Sequence, residues 1–181
     1  MSVRYPLFIL IALPFVLLCS CSSFKTEAVQ SWEKDMALIP LDTAALNGQY
    51  SNAEREPKTN FRLWDLMFKA PHGTSQATDI VDVRVIAPDR VQFTLVRSLS
   101  IVATEVVTFE PHATHIRFSE SEAGGYPPLF WGIGSSESGF GLTPEGDASV
   151  IHTRSGIGFV LIMPVGGAGI PATNCVYPRI R

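Results

Sequence analysis

From Asp79 the chain changes rhythm. Val81, Val83, Val85 and Ala87 alternate with Asp82, Arg84 and Ile86, and after Pro88-Asp89 the residues Val91, Phe93 and Leu95 alternate with Arg90, Gln92 and Thr94. A period of two puts one apolar face on a half-buried strand. Proline presets φ at the first central position of a turn and aspartate tolerates the second, so the two runs predict a hairpin. Further strands are predicted over residues 100–109, 113–118, 139–142, 148–153, 157–163 and 175–180, with turn signals at Pro111-His112, Pro144-Glu145-Gly146-Asp147 and Ser155-Gly156. Ahead of these, residues 46–52 read as a turn and a brief aromatic strand. Pro57 with Thr59 or Asn60 offers a helix start, and Phe61, Trp64 and Phe68 recur at helical spacing beside Leu63 and Met67, which predicts a helix over 60–69. Its aromatic stripe is a packing face closing one end of a sheet.

No helix of useful length separates the strands, so parallel crossovers are excluded and the class is mainly β. An antiparallel meander forming a small barrel or half-barrel with one short helix is predicted. Residues 123–138, with their glycines, prolines and serines, are expected to form the longest irregular loop. Residues 157–163 are continuously apolar, which predicts a strand covered on both faces.

The N-terminal pattern differs. Arg4 precedes an apolar run from Leu7 to Leu18, followed by Cys19, Ser20 and Cys21. As a helix that run spans about 18 Å, short of the roughly 30 Å hydrocarbon core, so it suits an export signal better than a permanent span. A plain secretory signal ending near two cysteines is the simpler alternative. Leu18-Cys19-Ser20-Cys21 resembles a bacterial lipobox. The resemblance implies cleavage before Cys21, diacylglycerol on its thiol and acylation of the new amino group, a stable multi-chain anchor. Cys19 does not fit the same role, because Leu17 and Leu18 precede it. Ser22 stands where an aspartate would resemble an inner-membrane retention signal, which implies the outer membrane, facing the periplasm. The expected organisation is a cleaved signal over 1–20, a lipidated tether over 21–39 and a β-rich periplasmic domain over 40–181. In the tether, Phe24 and Trp32 suit a headgroup region; alternatively Trp32, Met36 and Leu38 already pack on the domain.

Removing residues 1–20 takes away only Arg4 among charged side chains, so the net charge moves from −3 to −4. With no basic cluster, nucleic acid is not expected as a partner. A domain of this length needs no metal or disulfide staple, and no cofactor is expected. Cys175 is left without a partner within the mature chain, and its place in a terminal strand predicts a buried, inert thiol.

Candidate chemistry is sparse. His112 and His115 bracket Ala113-Thr114, with His72 and His152 elsewhere, and no cysteine pair or carboxylate–histidine motif completes a metal set. His115 is expected to share a strand face with Arg117, away from Ile116 and Phe118, as a solvated or hydrogen-bonded surface histidine. Gly134-Ser135-Ser136-Glu137-Ser138-Gly139 misses the spacing of a nucleophile elbow. Glu105, unlike Glu110, Glu120 and Glu122, lies inside an apolar-rich strand, where an outward-facing or paired carboxylate is expected. Gly166-Gly167-Ala168-Gly169 lacks the lysine and helix of a phosphate cradle and reads as a flexible loop. Large rings are abundant; in a barrel they fill the interior or line a pocket for an apolar guest.

The lipobox, Leu46-Asn47-Gly48-Gln49-Tyr50-Ser51-Asn52, Leu63-Trp64-Asp65-Leu66 and Phe140-Gly141-Leu142-Thr143-Pro144-Glu145-Gly146-Asp147 together resemble a group of bacterial lipoproteins that mostly lack an assigned function. The Leu-x-Gly-x-Tyr opening followed by a helix and a meander is similar to the calycin superfamily of lipocalins and fatty-acid-binding proteins, with Tyr50 where the lipocalin tryptophan stands. The expectation is a membrane-anchored, non-enzymatic binding or structural module of the cell envelope, with an envelope protein or hydrophobic small molecule as partner. The alternative is a carrier of lipid or another hydrophobic ligand in a calycin-like barrel. A partner-binding module predicts an exposed apolar patch around Tyr126 to Trp131.

Overall fold

The alternating run after Asp79 forms the first long hairpin of the protein, β2 (Ile80–Ala87) and β3 (Arg90–Arg97), paired from Ile80 opposite Val96 to Ala87 opposite Arg90. The computed structural model describes residues 27–56, 59–68, 75–126, 130–160, 163–167 and 170–181. A helix, α1, occupies residues 27–35, a 3-10 turn Thr43–Leu46 precedes β1 (Gly48–Ser51), and α2 is the single turn-and-a-half Leu63–Met67. Then follow β4 (Ser100–Thr108), β5 (Glu110–Pro111), β6 (His115–Tyr126), β7 (Phe130–Leu142), β8 (Ala148–Val160), β9 (Met163–Gly167) and β10 (Ile170–Tyr177).

The strands make two antiparallel sheets, one ordered β1-β2-β3-β4 and the other β10-β8-β7-β6-β5, with β9 also on β8. The chain crosses between them at two corners. β4 passes into β5 through Phe109, and the tail after β10 meets β1, where Tyr50 bridges Arg179 and Ser51 donates to Pro178 O at 2.8 Å. At the second corner Gln49 N–H also donates to Arg181 O and Ile180 N–H to Gln49 O, but neither corner joins the two sheets into one, so the expected mainly β, antiparallel meander is present and the sheets are not closed into a barrel. The reason is local: β5 pairs with β6 only at Glu110 and Pro111, and Phe109 just before them gives its N–H to Asp89 O, 2.8 Å away, beside the other sheet. Beyond that rung β4 and β6 remain separate edges.

The inner faces meet through rings. Phe93 lies 5.8 Å from Phe140, 6.2 Å from Phe118 and 5.3 Å from Phe68, and Tyr50 lies 5.7 Å from Phe140. Edge-on and tilted pairs of this kind add to the area they bury. α2 closes one end with Leu63, Trp64, Leu66 and Met67. It is shorter than the expected 60–69: Asn60 takes a positive φ of 60°, and the chain enters the helix only after Arg62, with Asn52 Oδ1 accepting from Trp64 N at 2.8 Å. Phe61 therefore falls outside the stripe and is 45% exposed.

Two other expectations are corrected. The predicted loop over 123–138 is instead, outside residues 127–129, which are not described, part of the β6–β7 ladder, which runs unbroken from His115 opposite Gly141 to Tyr126 opposite Phe130. The predicted turn at Ser155-Gly156 lies inside β8, where Ser155 pairs with Ser135 and Gly156 with Gly134. Glycine and serine strands carry no hydrophobic alternation, and here the pairing on both sides of β7 overrides weak local preference. Of the expected glycine loop, Gly166 and Gly167 belong to β9, and residues 168–169 lie outside the described residues.

Candidate functional site

Two glycines separated by one residue leave bare backbone on one face of a strand. On β7 these are Gly139 and Gly141, flanking the inward Phe140 on the outer face of the larger sheet. A Cβ at Gly139 would come within 2.9 Å of both Trp32 Cζ3 and Ile151 Cγ2, and one at Gly141 within 3.0 Å of Leu38 Cδ1. The trough they create seats α1 and the segment after it.

Trp32 is 1% exposed, and its indole N–H donates to Ser149 Oγ at 2.8 Å. The His115 ring stands edge-on to the indole at 5.1 Å and stacks on His112 at 4.9 Å. Glu33 Oε1 accepts from Thr114 Oγ1 at 2.6 Å and lies 3.1 Å from His115 Nδ1. Two backbone bonds continue the seam, Ile39 N–H to Leu142 O and Leu41 N–H to Ala113 O. Of the two alternatives for the tether, packing on the domain is the one that occurs for Trp32, while Met36 and Leu38 are half-buried.

His115 does share a face with Arg117, as expected, but it is buried at 2% exposure under α1 and not a surface residue. Burial pushes its pKa down, opposed by the neighbouring Glu33 carboxylate. Arg117 bridges Glu110 at 2.5 Å and Glu137 at 3.4 Å, and its pKa is raised by the bond to Glu110. A recess beside α1, lined by Val29, His115, Arg117, Glu137, Ile151 and Thr153, has a volume of about 10 Å³, room for one water and no organic ligand.

The remaining polar clusters are internal. Cys175 is 4% exposed, its S–H donates to Glu54 Oε1 at 2.9 Å, and Thr59 Oγ1 lies 3.6 Å away. Burial, with the Glu54 bond, pushes the thiol up to about 11, so it stays protonated and unreactive. Tyr177 beside it is raised further by burial, and its hydroxyl donates to Phe61 O. Ser138 Oγ meets His152 Nδ1 at 2.9 Å, a pair the sequence reading did not connect, with the serine only 4% exposed. Glu105 pairs in register with Phe93 and is exposed along the open edge of β4. Asp79, buried at the far end of the smaller sheet, takes both Arg97 nitrogens at 2.8 Å, and that bond holds its carboxyl below the usual range. Among the described residues no group of three or more histidine, cysteine, aspartate or glutamate side chains is placed to hold a metal ion, and no helix is long and apolar enough to cross a membrane. Cys21, Phe24 and His72 lie outside the described residues.

The arrangement is that of a two-sheet antiparallel β domain clasped on its outer face by its own N-terminal helix. Comparison with known families finds no matching model, and neither curated proteins nor solved structures give a match.

Proposed function

We propose that the chain is a membrane-anchored periplasmic lipoprotein whose β domain is a non-enzymatic binding or structural module of the cell envelope. The anchor is lipid on Cys21, and the membrane is the bacterial outer membrane. The observation that carries this reading is the distance in sequence between the lipobox and the clasp. Only residues 22–26 separate Cys21 from a helix already seated on the larger sheet. An acyl anchor there holds the folded domain itself, with no long leash, against the bilayer. The polar side chains around the clasp are spent on one another, and the buried thiol is protonated, which suits a module better than an enzyme. The filled ring core between the sheets favours the module over the carrier.

Labelled palmitate supplied to growing cells tests the anchor. The protein is expected to take up label, and the Cys21→Ser chain to take up none. Absence of label from the unaltered protein overturns the proposal.

A further inference from the structure

The apolar patch expected around Tyr126 to Trp131 falls on side chains outside the described residues. The exposed apolar side chains that are described gather on the other sheet. Of eight large ones, Leu99, Ile101, Val102 and Val106 lie on β4 and the turn before it, at 99%, 71%, 39% and 49% exposure. The other four, Phe61, Ile86, Ile133 and Ile180, are far apart in the chain. Single exposed apolar residues are ordinary; four within one short stretch mark a contact surface.

β4 is also an edge. It pairs with β3 from Arg90 opposite Thr108 to Arg97 opposite Ser100, and the smaller sheet ends with it. A strand paired on one side presents a row of N–H and C=O groups without ladder partners. The opposite edge, β1, is four residues long and is met by the tail, through the bonds of Gln49 and Ser51 to Pro178, Ile180 and Arg181. β4 has no such cover among the described residues, and seven of its nine residues are exposed. Proline, lysine and arginine, which blunt such edges, are absent from Ser100–Thr108. The ladder is regular from Ala103 to Thr108, after a bulge at Val102.

The single charge on β4 is Glu105, and the register decides where it lies. Ala103, Glu105 and Val107 stand opposite Leu95, Phe93 and Val91, all fully buried, so they form the core-facing row. Ala103 and Val107 pack against the core, while Glu105 between them is exposed. Among the described residues its carboxylate makes no hydrogen bond or ion pair. Arg97, at the end of the strand pair, is held by Asp79. On the outer face, Val106 and Ile101 stand opposite Gln92 and Val96.

This pattern selects an occupant. A carboxylate on the core-facing row disfavours an added strand that is acidic or apolar at that rung and favours one that brings a cation to it. A second copy brings none: paired antiparallel about Thr104, each Glu105 meets Ala103, and two carboxylates fall on neighbouring positions of one face. Hydrocarbon offers nothing to the unpaired N–H and C=O groups, whereas an extended peptide pairs with them. We infer that β4 is a strand-addition site for an extended segment of another protein, with a lysine or arginine opposite Glu105 and β-branched residues covering Val106 and Ile101. The site gives a partner to the binding module proposed above and rests on that reading, but not on the lipid.

The probe is the acetylated, amidated peptide Val-Thr-Val-Lys-Val-Thr-Val, whose palindromic sequence fits either strand direction. Hydrogen exchange of the mature chain in a nonionic detergent, titrated with this peptide, reads site and affinity together. Amides within residues 100–108 are expected to gain protection. The same peptide with glutamate at its centre is expected to bind at least about fivefold more weakly. Glu105→Lys, at an exposed side chain, is expected to keep the unfolding midpoint and reverse that preference. The lysine peptide N-methylated throughout is expected to give no protection, because it has no N–H to donate. Equal binding of the lysine and glutamate peptides, or protection outside residues 100–108, overturns the site. So does self-association of the chain through residues 100–108 that the lysine peptide does not displace. Absence of protection in a chain that takes up palmitate in cells overturns the site and spares the anchor. Protection in a chain that takes up none supports the site and overturns the anchor.

Discussion

The two halves of β7 show what a strand needs in order to be read from sequence. In residues 137–142 the strand is buried on both faces, with Phe140 at 0% exposure against Tyr50 and Phe93 inside, and Gly139 and Gly141 under α1 outside. In residues 130–136 the same ladder continues without a break, yet Ile133 is half exposed and a Cβ at Gly134 would meet only Ser155 O at 3.4 Å. Backbone pairing is common to both halves; among the described residues, dense packing is greater in 137–142. Stability is therefore expected to depend more on residues 137–142 than on residues 132–136.

The largest separation is expected from truncations. Phe140→Ala removes a ring from the centre of the cluster and is expected to cost about 3–5 kcal/mol, whereas Ile133→Ala stays within about 0.5 kcal/mol, as read by denaturant unfolding. Equal losses at the two positions would break the comparison. The glycines sharpen it. Gly139→Ala drives a methyl group into Trp32 and Ile151 and is expected to cost about 1–3 kcal/mol, while Gly134→Ala is near neutral. Trp32→Phe keeps most of the apolar contact but leaves Ser149 buried without its donor, with an expected loss of about 1–2 kcal/mol and faster hydrogen exchange over residues 27–35.

The smallest effect is one of pH. Because burial lowers the His115 pKa below its ordinary 6.5, the folded clasp binds fewer protons than the unfolded chain. Its stabilisation is complete above about pH 6.5 and is lost as pH falls through that value toward the folded one. Exchange protection of residues 27–35, corrected for intrinsic rate, is expected to fall between neutral and mildly acidic pH, and His115→Gln to flatten the profile.

Legibility followed burial on one face only. β2 and β3 were readable because Val81, Val83, Val91 and Phe93 face the core while Asp82, Arg84 and Gln92 are left more accessible, giving a period of two. The far parts of β6 to β8 give no such period, so glycine and serine there read as a loop and Ser155-Gly156 as a turn. The class was legible and the open corner between β4 and β6 was not, since it depends on Phe109 giving its N–H to Asp89, twenty positions away. The strand period places His115 on the face of Arg117, but its burial depends on Trp32, more than eighty positions away in the chain and invisible to local pattern. One signal was available: glycine on both sides of Phe140 marks a strand whose outer face is approached closely. The Cys175–Glu54 and Ser138–His152 pairs are long-range, and spacing alone could not join them.

The central claim is that a lipid on one sulfur, a few residues ahead of the clasp, holds this domain to a bilayer. Mass spectrometry of the N-terminal peptide from the mature protein, extracted from its host envelope, tests this directly. The account predicts a chain beginning at Cys21 with diacylglycerol on its sulfur. A chain beginning elsewhere, or at Cys21 with a free thiol, would contradict it.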